Sequence, residues 1–354
     1  MAHVRLQILI SYPKLLGDST VSILSRRNLQ RRVVEVFETF WFKRDGLLPL
    51  REFLIQLIRK PFFHGNDSIF RNFLTRVLPW DPLQGSHGPI IDVYCLVAKK
   101  DLELLRFTLP SLLNLSRNPV RDFIIVAPQS LATQIEAVCQ SLDLGFRLIS
   151  DERLLEEFAL DSHEFIYGHP KMLMLKYLCA LRSDLDNVLV VDGDTVYLKP
   201  RQWLTEDSKL IVVSQELHKF HLEYCAYFFD IKPKNNLGHT TQSQLLSKED
   251  IKGISEHIGG LKELAKNFSS VYEGFHTGVD ERFFPAEWQL ACGWSHHFNL
   301  RKSVFGSYSN FSFEREIFLK FMEKNHFPEL SEDSRIFLQS LVPHLGSISL
   351  HDYK

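Results

Sequence analysis

Asp192 and Asp194, separated only by Gly193, are the residues whose type and spacing point most directly to chemistry. They stand where the run Asn187-Val188-Leu189-Val190-Val191 ends. A short β-branched apolar run of this kind is the mark of a strand buried on both faces. Open α/β sheets bind ligands beyond the carboxyl ends of their strands, so the acids stand where a site belongs. Glycine between them allows a tight turn and leaves room for a ligand. Paired hard oxygen donors suit Mg²⁺ or Mn²⁺ bridging the phosphates of a nucleotide. An Asp-Gly turn after a core strand is also a common structural feature. The apolar strand before the triplet and Thr195-Val196-Tyr197-Leu198 after it favour the chemical reading.

The segment resembles the Asp-x-Asp motif of nucleotide-sugar glycosyltransferases with the GT-A fold. Upstream, Gly168-His169-Pro170-Lys171-Met172-Leu173-Met174-Leu175-Lys176 is similar to a poorly characterised, mostly bacterial branch of these enzymes. That branch carries Gly-Trp-aromatic-Arg-Gln-Gln and then Leu-Lys before its Asp-x-Asp strand. Here His169 stands for the Trp, and Met172 and Leu173 for the two Gln. The resemblance extends from about residue 89 to the end of the sequence. It implies a GT-A-like (Rossmann-like) α/β fold, a mostly parallel sheet flanked by helices. It implies a divalent cation, Mn²⁺ or Mg²⁺, on Asp192 and Asp194, with Asp194 the direct ligand and Asp192 shared with ribose or sugar. Gly193 would lie against the nucleotide-sugar.

The resemblance also implies that the first strand and its loop hold the nucleoside, through Val97, Ala98, Lys99, Lys100 and Asp101. The N-cap of a helix running from Leu102 to Leu115 is the other reading of Asp101, and it explains the residue's identity fully. Lys171 and Lys176 are five apart on the helix before the motif, so they do not share one face closely. One of them would face the donor phosphates, where a cation offsets charge on the leaving diphosphate. Lys176 matches the family's Lys. Pro285-Ala286-Glu287-Trp288-Gln289-Leu290-Ala291-Cys292-Gly293 resembles the family's Ser-Glu-Tyr-x-Leu-Tyr-Gly element, with Glu287 as its acid and Pro285 in place of its Ser. A carboxylate beside Trp288 would have a raised pKa and act as general base on an acceptor hydroxyl. The other reading of Glu287 is a solvated residue at a helix start. His239 and Trp288 are candidates to contact the acceptor, and His297, next to His296, to supply a third metal ligand.

Elements able to position these residues can be read along the chain. Ile90 to Ala98 is strand-like, Asp101 to Leu115 helical, Asp122 to Ala127 a strand, Ser130 to Leu142 a helix and Gly145 to Ser150 a strand. Met172 to Leu181 is a helix leading into the Asp-x-Asp strand, and Leu210 to Ser214 a further strand. This alternation predicts a mostly parallel sheet with crossover helices. From Glu216 to Gly306 the regularity fades into His, aromatics and Gly, as expected where a pocket is built. The chain has no Gly-x-Gly-x-x-Gly, Walker loop or internal repeat, and nothing points to nucleic acid.

The stretch Pro79-Trp80-Asp81-Pro82-Leu83-Gln84-Gly85-Ser86-His87-Gly88-Pro89 reads as a linker. It divides a helical region, residues 1 to 85, from a catalytic domain, residues 89 to 354. The net charge of −2 hides an asymmetry. Residues 1 to 85 carry 13 Lys and Arg against 7 Asp and Glu, whereas the remainder is acidic. The helix from Arg26 to Phe42, basic at its start and aromatic at its end, would either lie on an anionic membrane surface or pack as a structural cap. No run reaches the ~18 apolar residues that a membrane span needs. Neither does Met1-Ala2-His3-Val4-Arg5 open a signal peptide. Cys95, Cys139, Cys179, Cys225 and Cys292, odd in number and widely spaced, read as reduced core thiols. The expected location is therefore the cytoplasm, with peripheral contact at the inner face of the membrane.

The reading that joins these observations is a metal-dependent enzyme moving a sugar from a nucleotide-diphosphate donor to a hydroxyl of a glycan, lipid-linked or small-molecule acceptor. Two others stand beside it. A haloacid-dehalogenase-type phosphohydrolase also carries an apolar strand followed by Asp-x-Asp-x-Thr or Val, which Asp192-Gly193-Asp194-Thr195-Val196 meets. That family bears the motif on its first strand, and its second acidic element would fall at Asp280-Glu281 or Glu332-Asp333. In the third reading, a non-catalytic membrane adaptor, the basic helices do the work.

Overall fold

The computed structural model describes residues 88–165, 168–206, 209–214, 243–274, 303–308, 310–341 and 346–351. The helices expected between residues 1 and 85 lie outside these, as do most of the residues from 215 to 302.

The central sheet has five strands in the order β3-β2-β1-β4-β7. These are β1 (Ile91–Leu96), β2 (Val120–Ala127), β3 (Arg147–Ser150), β4 (Asn187–Asp192) and β7 (Ser243–Ser247). The first four are mutually parallel, and β7 runs antiparallel against β4. The crossovers are α1 (Leu105–Leu115), α2 (Ala132–Ser141), α3 (Asp151–Glu157) and α4 (Gly168–Arg182). After β7 come α5 (Lys248–Ile258) and α6 (Leu261–Gly274), joined at Gly259, whose φ of 100° needs glycine. The sequence therefore folds as the expected α/β layer structure, a mostly parallel sheet flanked by helices.

The period of two in the strands sorts their side chains between two cores. From β1 and β4, Tyr94, Leu96, Val188 and Val190 join Leu173, Met174 and Leu178 of α4, Ile251 of α5 and Leu264 of α6. Val93, Cys95, Leu189 and Val191 point the other way, onto Leu105, Leu109 and Leu112 of α1 and Ile135 of α2. Val93, Val188 and Leu189 have no exposed surface. Burial of each such side chain stabilises the fold by about 1.5–3 kcal/mol. A strand clamped this way on both faces holds its last residue rigidly.

A second sheet of three strands has the order β5-β10-β9, formed by β5 (Thr195–Tyr197), β9 (Asn310–Glu314) and β10 (Ser347–His351). Strand β10 is antiparallel to β5 and parallel to β9. β6 (Lys209–Ser214) and β8 (Ser303–Tyr308) form a parallel pair. Helices α7 (Arg315–Lys324) and α8 (Glu332–Leu341) lie between β9 and β10 in the chain.

Candidate active site at the carboxyl ends of β1 and β4

The chain runs from β1 outward through β2 to β3, then returns to add β4 on the other side of β1. That reversal makes the carboxyl ends of β1 and β4 a topological switch point, the place where a crevice opens in a sheet of this kind. Leu96 of β1 is in register with Asp192, the last residue of β4. The Asp-x-Asp triplet therefore emerges at the switch point, beside the loop that follows β1.

Gly193 is held against that loop. Its N–H donates to the Leu96 carbonyl at 2.8 Å. A Cβ at this position would lie 3.1 Å from Leu96 O, 3.2 Å from Val97 Cγ2 and 3.4 Å from Asp101 Cβ. The glycine is thus demanded by close approach of two backbone segments, and not by a left-handed turn. The room it provides is taken by the β1 loop.

That loop carries Asp101 toward the two acids. A 3-10 turn spans Lys99–Leu104, and its N-cap is Ala98, so Asp101 is not the N-cap that the sequence allowed. It sits on the third residue of the turn instead, and its Oδ2 accepts the Ala98 N–H at 2.8 Å. Its other oxygen, Oδ1, is buried without a hydrogen-bond partner. Burial first, then the charge of Asp194, pushes Asp101 up to about 7; the Ala98 N–H and Lys100 oppose this, and Asp192 adds to it. Asp192 is also raised by burial and by Asp194, with Lys176 opposing both.

Asp194 faces the second sheet. Its backbone carbonyl accepts the Leu350 N–H at 2.9 Å, which locks β10 beside the motif. The Thr195 hydroxyl lies 3.4 Å from Asp194 Oδ1 and 3.3 Å from Ser349 Oγ. Two residues beyond Ser349, His351 brings Nδ1 to 3.5 Å from Asp194 Oδ2. His351 was not among the histidines singled out from sequence. Its signal was faint: the small-apolar alternation Ser347-Ile348-Ser349-Leu350 reads as a strand, but nothing in it names β5 as the neighbour.

Lys176 lies on the buried face of α4, 3 % exposed, between the core residues Leu175 and Tyr177. Its Nζ forms an ion pair with Asp192 Oδ1 at 2.7 Å. Lys171, five residues earlier, pairs with Asp151 at 2.8 Å, where β3 passes into α3 at the far side of the sheet. The two lysines therefore serve different carboxylates, and Lys176 is the one that the fold brings to the motif. Val97 is 4 % exposed, in the core beneath the loop, so what it offers the site is backbone; Lys99 is exposed above it. His239, Glu287, Trp288, His296 and His297 lie outside the described residues.

Among the described residues no three His, Cys, Asp or Glu side chains form a ready-made metal cluster. The donor chemistry nevertheless fits a divalent cation. Asp101 Oδ1 is a buried carboxylate oxygen with no hydrogen-bond partner, Asp101 and Asp192 are both pushed up by burial and then by neighbouring negative charge, and an imidazole stands beside Asp194. For the phosphohydrolase alternative, the motif is on the fourth described strand and not the first, Glu332 and Asp333 are exposed in the first turn of α8, and Asp280 and Glu281 lie outside the described residues.

No protein-family model matches the sequence, and no curated protein sequence matches it. Solved structures to which the chain is similar include mouse xyloside xylosyltransferase 1 in its apo form, at 12% identity and a TM-score of 0.38 over 73% of this chain and 97% of that one. The galactosyltransferase LgtC, in complex with donor and acceptor sugar analogues, is similar at 11% identity and a TM-score of 0.39 over 73% of this chain and 87% of that one. The bifunctional glycosyltransferase WbbM matches at 10% identity and a TM-score of 0.39, over 78% of this chain and 48% of that one.

Proposed function

We propose that this chain transfers a sugar from a nucleotide-diphosphate donor to a hydroxyl acceptor, with a divalent cation held at the Asp-x-Asp turn. The observation that carries the proposal is the emergence of Asp192-Gly193-Asp194 at the switch point between β1 and β4, with His351 delivered to Asp194 by β10. Asp194 and His351 would hold the cation. An imidazole among carboxylates suits Mn²⁺ better than Mg²⁺. When bound, the cation supplies positive charge against the leaving diphosphate. Asp192, fixed by Lys176, accepts a hydrogen bond from a ribose or sugar hydroxyl. The loop from Val97 to Asp101 borders the nucleoside. Glu287 remains our candidate general base, with His239 and Trp288 on the acceptor side.

The acceptor we propose is a glycan or a lipid-linked sugar. The basic residues 1 to 85 would bring the enzyme to an anionic membrane surface at its cytoplasmic face, where a lipid-linked acceptor is found. The deciding experiment is a thermal-shift panel of UDP and GDP with and without Mn²⁺. Nucleotide at 100 times its dissociation constant should stabilise the protein by ~2.7 kcal/mol, and only with the metal present. Asp194→Asn should abolish the metal-dependent part and lower transfer about 10²- to 10³-fold, the size expected when a preorganised electrostatic contact is lost. Nucleotide stabilisation unaffected by EDTA would refute the metal assignment.

A further inference from the structure

The sequence match would aim Lys176 at the donor phosphates; its surroundings in the fold give it a different task. We infer that Lys176 is a positioning residue that clamps Asp192, and that the donor diphosphate is met by the cation site at Asp194 and not by this lysine. The inference rests on the sugar-transfer reading and deepens it.

Three observations carry it. The Lys176 side chain is 4 % exposed, and its Nζ lies 2.7 Å from Asp192 Oδ1. Its stem leaves a helix whose flanking residues Leu173, Met174, Leu175, Tyr177 and Leu178 are all buried. Asp192 itself ends a strand whose preceding four residues, Val188 to Val191, are at most 2 % exposed. Neither partner can leave the other cheaply. A lysine that swung out to a phosphate would strand a carboxylate in a low-dielectric setting beside Asp194, and would drag its own stem out of the apolar layer. Paired as it is, the ammonium fixes Asp192 in one orientation, with one oxygen taken and the other left to accept a hydroxyl. The acids of the motif thereby divide their work: Asp192 is restrained from the α4 side, and Asp194 faces His351 on the β10 side.

The test uses the full chain and compares Lys176→Met, Lys176→Arg, Asp192→Asn and the double variant Lys176→Met/Asp192→Asn. Affinity for UDP and GDP with Mn²⁺ is read by calorimetry, kcat and KM by transfer assay, and stability by melting. A clamp predicts that Lys176→Met binds nucleoside diphosphate with Mn²⁺ within about 3-fold of wild type but loses about 10²-fold in kcat, the size expected when a reacting group is misplaced by about an ångström. Lys176→Arg should recover most of that loss. Melting should fall in Lys176→Met and recover in the double variant, since removing both charges relieves the uncompensated one. Lys176→Met weakening diphosphate binding as much as Asp194→Asn does would overturn the inference and make Lys176 a phosphate contact. Failure of wild type to bind any nucleoside diphosphate with Mn²⁺ would instead remove the sugar-transfer reading. The melting arm then still decides the clamp: recovery in the double variant supports it, and lack of recovery overturns it.

Discussion

Strands β1 and β4 carry buried acids at both ends, and the two ends are treated differently. At the amino end, Asp92 is 1 % exposed and fully engaged. Arg121 reaches it through Nε at 2.9 Å and Nη2 at 2.7 Å, and the Ser183 hydroxyl donates at 2.5 Å. That is a forked charge-assisted contact tying β1 to β2 and to the end of α4, and it has the character of a structural rivet. At the carboxyl end Asp192, Asp194 and Asp101 crowd together, with Lys176 in contact with Asp192. There burial first, and then neighbouring negative charge, pushes Asp101 and Asp192 up, and one Asp101 oxygen is buried without a hydrogen-bond partner. Burial alone does not distinguish a structural acid from a functional one; the completeness of its neutralisation does. The amino end is closed, whereas the carboxyl end is where we propose that a cation is held.

The comparison is broken most forcefully at Asp92. Asp92→Ala should cost about 3 kcal/mol in urea unfolding, because Ser183 and Arg121 lose their buried partner. Arg121 is 38 % exposed and can turn to water, so the loss should not exceed that figure. Activity of the folded fraction should be unchanged. Asp194→Asn should do the reverse, losing activity while unfolding within about 1 kcal/mol of wild type. If Asp92→Ala abolished transfer without loss of stability, the two ends would have to exchange roles.

A middle-sized effect sharpens the carboxyl end. Asp101 titrates at about 7 in the folded chain, against roughly 4 for an unfolded carboxyl. The folded state thus holds this proton more tightly. The stability it contributes is complete below about pH 4 and is lost as pH rises through about 7. In EDTA, wild-type melting temperature should fall between about pH 4 and pH 7 more steeply than that of Asp101→Asn, and Mn²⁺ should offset the difference. Identical slopes for the two proteins would show that Asp101 is not the group responsible.

The smallest expected effect is at Gly193. Gly193→Ala brings a methyl to 3.1 Å from the Leu96 carbonyl and 3.2 Å from Val97, so the β1 loop must yield by a few tenths of an ångström. A loss of about 1 kcal/mol in stability is expected, together with a larger proportional loss of cation affinity, measured by calorimetry. No change in either would mean that the two segments are free to part.

Much of this arrangement was legible in the residues because strands buried on both faces must be continuous apolar runs. Val188 to Val191 and Ile124 to Ala127 could hardly be anything else, and the acids following β4 had to emerge at its carboxyl end. Other features left weaker traces. Strand β7, Ser243–Ser247, is short and half polar, with no period strong enough to stand out. Asp101 carried the composition of a helix cap, and local sequence does not distinguish the first position of a turn from the third. The separate fates of Lys171 and Lys176 depended on which carboxylate lay opposite each, on α3 or on β4.

The sequence by itself determined the α/β layering and the strand that ends at Asp192, since these follow from local periodicity. The tertiary structure decided which distant residues meet the acids. His351 reaches Asp194 only because β10 pairs with β5, and Lys176 is withdrawn from solvent only because α4 packs on the face of β4 that carries Val188 and Val190. Such meetings are set by strand order and by burial summed over many residues, a property of the whole core that no short segment encodes.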